Sequence, residues 1–192
     1  MEVGIISSSS MKIDPYYINL ARDISKYLAS QELDLVFGGS SYSMMGACYD
    51  EFIRQNRKVY AFTTDRWKDD LVNLDKAYRK IISETTFDLK KAIFENSDFI
   101  VALPGGTGTI SEVLSFIEEN RSNNRNLPIE IYDEDGSFKP IFDVLNIQIA
   151  NGFTSPDIYN YFNISRNKEE FIEHIEKYLY SDERMIKRWK MN

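Results

Sequence analysis

The 192-residue sequence has little cysteine, little histidine and no long apolar run. Cys48 is its single cysteine, so the chain cannot form an internal disulfide or hold a metal through a thiolate cluster. With one histidine as well, we predict that the protein uses no metal and no cofactor. The N-terminus lacks the basic start and apolar block of a signal peptide, and no stretch reaches the length of a membrane span. These absences together predict a cytoplasmic protein.

Positive charge is also scarce. The sequence carries 23 Lys and Arg against 30 Asp and Glu, which gives a net charge of -7. Because an acidic surface repels phosphate backbones and anionic lipid, nucleic acid and membranes are disfavoured as partners. A local basic pocket still suits one phosphate, so the charge favours a small-molecule ligand.

Apolar residues make up 43% of the sequence and aromatic residues 14%, which argues against disorder. A chain of this length buries roughly 70% of its unfolded surface in one core. We therefore predict a single globular domain over residues 1–192.

Short apolar runs alternate with segments of helical spacing along the chain. We predict strands at 3–6, 33–39, 58–64, 98–106 and 127–133. We predict helices at 14–31, 44–56, 85–97, 109–121, 138–152 and 167–190. This alternation is typical of an α/β, Rossmann-like three-layer sandwich, in which a mostly parallel sheet is flanked by helices on both faces.

Local residues mark several helix ends. Asp14 is predicted to cap the first helix and Pro15 to occupy its first position. Gly136 is expected to have a positive φ in a tight turn, and Gly152 to close the helix before it. In the last helix, His174 lies among charged residues, so we interpret it as a solvated surface residue. The terminal KRWK is interpreted as a polar helix end.

Two glycine-rich segments follow predicted strands, at 37–47 (FGGSSYSMMGA) and 103–109 (LPGGTGT). In an open α/β sheet, ligands bind beyond the carboxyl ends of the strands. Glycines there allow close approach of backbone N–H groups to a ligand, and the helix starting near Thr109 favours an anion. The second segment supplies three glycines and two hydroxyls: Gly105, Gly106, Gly108, Thr107 and Thr109. A purely structural turn is the alternative, because short glycine patterns have many false matches.

Glu112 follows in the same helix and has two interpretations. A carboxylate in a first helical turn ordinarily stabilises the helix dipole by ~0.3–1 kcal/mol. Beside a phosphate-binding turn, it also suits ribose hydroxyls or the positive charge that develops at C1′ of a sugar as its bond breaks.

The segments GGSSYSMMGA (38–47) and PGGTGTISE (104–112) resemble the GGGxxGLMGA and PGGxGTxxE motifs of the LOG ("Lonely Guy") family, often labelled lysine decarboxylase-like. The resemblance covers nearly the whole chain and includes DEDGSFKPIFDVL and NGFTSPD. Family members are cytokinin-activating nucleoside 5′-monophosphate phosphoribohydrolases and usually dimers. The resemblance thus implies a nucleotide-binding fold and an AMP-like small-molecule ligand.

The resemblance also implies roles for individual residues. Glu112 and Lys90 would be catalytic, with Lys90 as the cation near the glutamate. The 5′-phosphate would lie on the turn from Gly105 to Thr109. The rest of the pocket would be lined by Ser8, Ser9, Gly39, Met45 and Gly46. A homodimer would form near the site through the apolar residues of SEVLSFIEE (111–119) and MMGACYDEF (44–52).

The sequence departs from the family pattern at several positions. Ser40 and Ser43 stand where the first motif has glycines, and Ser7 where the loop after the first strand has one. The family's MxxRK motif falls on residues 86–90, where Lys90 matches but the arginine position is Leu89.

A leucine cannot make the bidentate contacts of a guanidinium. Either Lys90 or Lys91 substitutes for the arginine, or the hydrolase chemistry is altered or lost. In the second case the protein would bind or sense a nucleotide derivative, or resemble a molybdenum-cofactor carrier. Lysine decarboxylation is the least favoured alternative, because the sequence shows no pyridoxal-type lysine site.

Overall fold

A computed structural model describes residues 1–123 and 125–180. The strands are β1 (Glu2–Ile6), β2 (Asp34–Phe37), β3 (Val59–Thr64), β4 (Arg79–Ser83), β5 (Phe99–Ala102), β6 (Ile129–Tyr132) and β7 (Asn163–Ser165). The α-helices are α1 (Pro15–Ser30), α2 (Ser43–Arg54), α3 (Thr86–Glu95), α4 (Thr107–Asn123), α5 (Lys139–Ala150) and α6 (Lys168–Tyr180). Two 3-10 segments cover Asp65–Asn73 and Pro156–Tyr161.

The seven strands form one sheet in the order β4-β3-β2-β1-β5-β6-β7, and every strand pair is parallel. Strand β1 lies at the centre and pairs with both β2 and β5. The chain winds outward from β1 in one direction through β4, then returns and winds in the other direction from β5. The crevice at the carboxyl ends of β1 and β5 is therefore the topological switch point, where open α/β sheets bind ligands.

Alternating side chains along the strands pack into two hydrophobic cores, one on each face of the sheet. Ile5 packs with α1, α2 and α6 on one face, whereas its neighbour Ile6 packs with α3, α4 and α5 on the other. Because successive side chains of a strand point to opposite faces, an apolar run is buried on both sides. This arrangement confirms the α/β three-layer sandwich.

The predicted helix and turn signals are confirmed. Asp14 Oδ1 accepts a hydrogen bond of 2.8 Å from the backbone N–H of Tyr16, and Pro15 is the first residue of α1. Gly136 has φ +75° before α5, and Gly152 has φ +76° after it. These positions show that local turn chemistry was enough to locate several helix ends.

Two strands were missed, and several boundaries differ from the prediction. Strand β4 was missed because an edge strand with the exposed basic residues Arg79 and Lys80 carries little apolar signal. Strand β7, at the other edge, has three residues, which is too short for a clear pattern. Strands β2 and β5 end before the glycines that follow them, and α4 begins at Thr107 rather than near Thr109. The candidate turn at 103–106 is consequently shorter than expected.

The interpretation of His174 as a solvated surface residue was wrong. Its side chain is half-buried, and Nδ1 lies 3.0 Å from Oε1 of Glu130, a fully buried residue of β6. Tyr178 OH donates to the same carboxylate at 3.1 Å, and burial raises the pKa of Glu130. This polar cluster fastens α6 to the sheet, whereas the KRWK segment (187–190) lies outside the described residues.

Candidate functional site

Two loops meet at the switch point. Ile6 of β1 pairs with Ala102 of β5, and the backbone N–H of Leu103 donates to the carbonyl of Ile6 at 2.9 Å. The loop at 7–14 follows β1, and the turn at 103–106 leads from β5 directly into α4. The loops that begin at this pair of strands contain Ser8, Ser9 and Gly105, all predicted site residues.

The loop after β1 also contacts the first glycine-rich segment. The backbone N–H of Met45 donates to the carbonyl of Ser8 at 3.3 Å, and Ser8 Oγ accepts a hydrogen bond of 3.1 Å from the N–H of Ser10. Ser9 is exposed, whereas Ser8 and Met45 are half-buried. The structure therefore brings Ser8 and Met45 together at the carboxyl edge of the sheet.

Packing accounts for the other two predicted residues of the first segment. Gly39 is buried with φ +68°, and a Cβ there would lie 2.7 Å from the carbonyl oxygen of Phe62. Gly46 is buried inside α2, and its Cβ would lie 2.3 Å from the carbonyl oxygen of Ser41. Both glycines are needed by the fold itself, so their role in a ligand pocket has no separate support.

Gly105 and Thr109 form a packed pair within the second segment. A Cβ at Gly105 would lie 2.1 Å from Oγ1 of Thr109, so any larger residue would displace that side chain. Thr109 is buried, which disfavours its predicted role as a hydroxyl donor to a ligand. This pair fixes the turn between β5 and α4.

Gly106 and Gly108 differ from these packed glycines. Both are exposed, and a Cβ at either position would meet no heavy atom of the described chain within 4 Å. Neither has a φ in the left-handed region. Thr107 between them is also exposed, at the start of α4, where free backbone N–H groups and the helix dipole favour an anion. An open, side-chain-free surface thus lies over the N-terminus of α4.

Glu112 lies four residues beyond Gly108 in α4, and Lys90 of α3 is the charged group that acts on it. Glu112 is half-buried in α4, and burial raises the pKa of its carboxyl group to about 7, although the Lys90 ammonium acts in the opposite direction. Such a carboxyl group exchanges its proton near neutral pH, which is typical of carboxylates that take part in catalysis. The two predicted catalytic residues are therefore electrostatically coupled.

The contacts of Lys90 were not predicted. Its Nζ donates to Ser111 Oγ at 2.6 Å and to Ser115 Oγ at 3.3 Å, and Ser115 Oγ donates to the Ser111 carbonyl at 2.6 Å. Ser111 and Ser115 are four residues apart, so they share one face of α4. That spacing was visible in the sequence, but the packing of α3 beside α4 was not.

The arginine position of the family motif has a different environment. Leu89 is half-buried and packs against the core beneath α3, α4 and α5. Lys91 is exposed. Of these three residues in α3, Lys90 is the one whose cation reaches α4.

A groove of about 210 Å³ lies between α3 and α4. Lys90 and Ser115 line one part of it, so the groove is continuous with the Lys90 contacts. Phe87, with 78% of its surface exposed, lines it as well. The groove thus places an exposed aromatic ring near the candidate catalytic pair.

Neither a membrane-spanning helix nor a metal-binding cluster was found in the described part of the chain. Within residues 1–123 and 125–180, no helix is long and apolar enough to cross a membrane. In the same ranges, no three His, Cys, Asp or Glu side chains are grouped so that they could hold a metal ion.

Known proteins resemble the chain in both sequence and fold. A probable cytokinin riboside 5′-monophosphate phosphoribohydrolase of Oryza sativa is 24% identical, covering 98% of this chain and 77% of that protein. A cytokinin riboside 5′-monophosphate phosphoribohydrolase of Arabidopsis thaliana is 25% identical, covering 98% of this chain and 84% of that protein.

Solved structures show the same fold at lower identity. A molybdenum cofactor binding protein of Rippkaea orientalis has a TM-score of 0.72 at 16% identity, over 93% of this chain and 97% of that one. A molybdenum cofactor carrier protein of Chlamydomonas reinhardtii has a TM-score of 0.70 at 13% identity, over the same shares of the two chains.

The family model described as "Possible lysine decarboxylase" matches residues 45–175, more than half of the chain, including the whole PGGTGTISE segment. The chain therefore belongs to this family, which is the LOG family that its motifs resemble.

Proposed function

We propose that the chain is a single-domain nucleoside 5′-monophosphate phosphoribohydrolase, which cleaves the N-glycosidic bond to release free base and ribose 5-phosphate. The observation that carries this proposal is the coupled pair Glu112 and Lys90 beside the open N-terminus of α4. Family membership and the names of the relatives support a hydrolase that acts on nucleotides.

The substrate phosphate would lie on the open surface formed by Gly106, Thr107 and Gly108. Backbone N–H groups at a helix N-terminus bind phosphate through hydrogen bonds and through the helix dipole. The absence of side chains at the two glycines leaves space for the phosphate oxygens to approach the backbone.

Glu112 would act at the sugar. As the bond between C1′ and the base nitrogen breaks, its electron pair leaves with the base and positive charge develops on the ribose ring. Ionised Glu112 would stabilise that charge, and the Lys90 ammonium favours the ionised form. A water molecule then adds its oxygen to C1′ and loses a proton, while the base takes up a proton. The proposed reaction balances with water as the sole co-reactant.

A panel assay tests the proposal. Purified protein is incubated with AMP, CMP and an isopentenyl-adenine nucleotide, and free base is separated by chromatography. We expect base release from at least one nucleotide, and its loss in Glu112→Gln. No release from any nucleotide by the wild-type protein would contradict the hydrolase proposal.

Binding of a nucleotide derivative without hydrolysis is the second candidate. Leu89 favours it, because its side chain packs in the core and supplies no guanidinium to the site. The fold shared with molybdenum cofactor carriers is compatible with this role. Saturable nucleotide binding without base release, measured by calorimetry in the same samples, would support this candidate.

We also propose that the protein is a cytoplasmic homodimer. The residues of α2 that were expected at the interface are largely buried in the chain's own core, including Met44, Cys48 and Phe52. By contrast, Leu114 of α4 is 40% exposed and Phe153 is 83% exposed, and both line a groove of about 530 Å³. A second copy seated on this groove would bury these apolar side chains next to the helix that carries Glu112.

Light scattering tests the proposed dimer. The wild-type protein should have twice the mass of one chain, and Phe153→Glu should shift the population toward the monomer. Val72→Glu, at an apolar residue that is 72% exposed and lies outside this groove, serves as the control. A wild-type monomer at micromolar concentration would overturn the proposal.

A further inference from the structure

Lys90 is held at α4 by two hydroxyl groups. An ammonium group has three donors and no acceptor, and two of its donors reach Ser111 Oγ and Ser115 Oγ. The third has no hydrogen-bond acceptor in the described part of the chain. A lysine side chain is flexible and loses rotamer entropy when its ammonium group is confined to one position. Hydrogen bonds to fixed acceptors are therefore needed to hold the ammonium group there.

The orientation of Ser115 follows from its hydrogen bonds. A serine hydroxyl has one proton, and Ser115 Oγ donates it to the carbonyl oxygen of Ser111 at 2.6 Å. Its lone pairs are therefore left to accept from Lys90. Ser111 Oγ likewise accepts from Lys90, at 2.6 Å.

We propose that Ser111 and Ser115 are positioning residues: they hold the Lys90 ammonium against α4, the helix that carries Glu112, so that Lys90 takes the place of the missing arginine of the family motif. The inference rests on the proposed function, because Glu112 is the residue that would act on the substrate. The two serines act through Lys90 and do not themselves touch the reacting atoms.

Charged groups on α3, on α4 and on the segment after α4 surround this arrangement. Lys90 is the charged neighbour that lowers the pKa of Glu112, against the stronger effect of burial. Further charged side chains line the adjoining groove between α3 and α4: Lys91, Glu95, Glu119 and Arg125. Displacing Lys90 should therefore raise the pKa of Glu112 further and leave less of it ionised at neutral pH.

A mutant cycle tests the inference. One variant combines Ser111→Ala with Ser115→Ala, a second carries Lys90→Met, and a third carries all three changes. The first readout is the pKa of Glu112 by NMR titration of ¹³C-labelled glutamate carboxyl groups, assigned by its loss in Glu112→Gln. Ser122→Ala is the matched control, since Ser122 is an exposed serine of α4 bonded to Glu118.

We expect both the serine variant and Lys90→Met to raise the pKa of Glu112, and the triple variant to raise it no further than Lys90→Met does. An unchanged pKa in the serine variant, or additive shifts in the triple variant, would overturn the inference. Because alanine favours a helix, α4 should remain folded in each case, and circular dichroism checks this.

Base release provides the second readout. The serine variant should lower kcat at pH 7 by roughly tenfold with KM little changed, and should move the rise in rate to higher pH. In the Lys90→Met background, the serine changes should have no further effect. NMR needs no substrate, so a failure of hydrolysis and a failure of positioning give different results. Wild-type protein without base release contradicts the proposed function, whereas an unmoved Glu112 titration contradicts the positioning.

Discussion

The two glycine-rich strand ends look alike in the sequence but differ in the structure. At the first, Gly39 and Gly46 are buried, and a Cβ at either would collide with backbone oxygen atoms of the same chain. At the second, Gly106 and Gly108 are exposed and face open space. A glycine that the fold does not require points to an external constraint, and here the N-terminus of α4 offers a site for an anion.

The same contrast extends to charge. In α2, after the first strand end, the buried Glu51 accepts a hydrogen bond of 3.0 Å from Arg54 Nε. In α4, after the second, burial raises the pKa of Glu112 to about 7. Burying a carboxyl group is unfavourable for its charged form, so a fold selected for stability alone gains nothing from Glu112 at this place. We infer that the first strand end is mainly structural and the second mainly functional.

The largest effect expected from this comparison is that of Glu112→Gln. Because it removes charge stabilisation at the reacting sugar, base release should fall by about 10²–10³-fold.

The same substitution should raise the free energy of unfolding at neutral and higher pH. The pKa of Glu112 is raised from 4.5 to about 7, so the folded protein binds this proton more tightly than the unfolded chain does. Ionised Glu112 therefore destabilises the fold increasingly as the pH rises from 4.5 to 7.

Urea unfolding of both proteins measures this second effect. Glu112→Gln should be more stable than the wild type at pH 8, and the difference should shrink toward pH 4.5. Glu118→Gln in the same helix is the control, because the pKa of Glu118 is lowered by Arg121. A Glu112→Gln protein that is less stable at pH 8 would indicate that the carboxylate has a structural role instead.

A matched pair of glycine-to-alanine changes comes next in size. Gly46 and Gly108 both lie inside helices, where alanine is ordinarily favoured by about 1 kcal/mol. At Gly46 the new Cβ would lie 2.3 Å from the Ser41 carbonyl oxygen, so Gly46→Ala should lower the free energy of unfolding by about 1–3 kcal/mol. Gly108→Ala meets no atom and should raise it by up to about 1 kcal/mol.

Nucleotide binding should respond in the reverse order. Gly108→Ala places a methyl group on the proposed phosphate surface, so calorimetry should show weaker AMP binding despite the greater stability. Gly46→Ala should keep its affinity at temperatures where it remains folded. If Gly108→Ala binds AMP as tightly as the wild type, the proposed phosphate position is wrong.

The sequence predicted the parts of this contrast that depend on local chemistry. Strand and helix alternation, the Asp14 cap and the positive φ of Gly136 each depend on a few neighbouring residues, and all are confirmed. Strands β4 and β7 were missed because both lie at the edges of the sheet, where a strand needs little apolar surface.

The remaining differences depend on residues far apart in the chain. His174 was misassigned because its partner Glu130 lies 44 residues away. Lys90 contacts Ser111 across 21 residues, and Gly46 meets the loop before its own helix. Such packing separates a structural glycine from a functional one, and no local pattern contains it.

A smaller effect is expected at Ser43, where the first motif of the family has glycine. Ser43 has φ +55°, in the left-handed region where a Cβ is unfavourable and glycine is favoured. Ser43→Gly should raise the free energy of unfolding by about 1 kcal/mol. Ser41→Gly, at a residue without positive φ, should not stabilise the protein. Equal effects of the two changes in urea unfolding would show that strain at Ser43 is negligible.

The smallest effect sharpens the contrast between the two threonines of the second strand end. Thr107 is exposed and therefore accessible to a ligand, whereas Thr109 is buried and packs against Gly105. Thr107→Ala should change the free energy of unfolding by less than about 0.5 kcal/mol, as a surface change does. Loss of one hydroxyl hydrogen bond to phosphate should weaken AMP binding by about 0.5–1.5 kcal/mol, a few-fold to roughly tenfold in Kd.

Thr109→Ala should instead lower stability, because the methyl and hydroxyl groups that pack on Gly105 are removed. The reverse result, with Thr109→Ala impairing binding in a fully stable protein, would place the ligand on the other side of the turn.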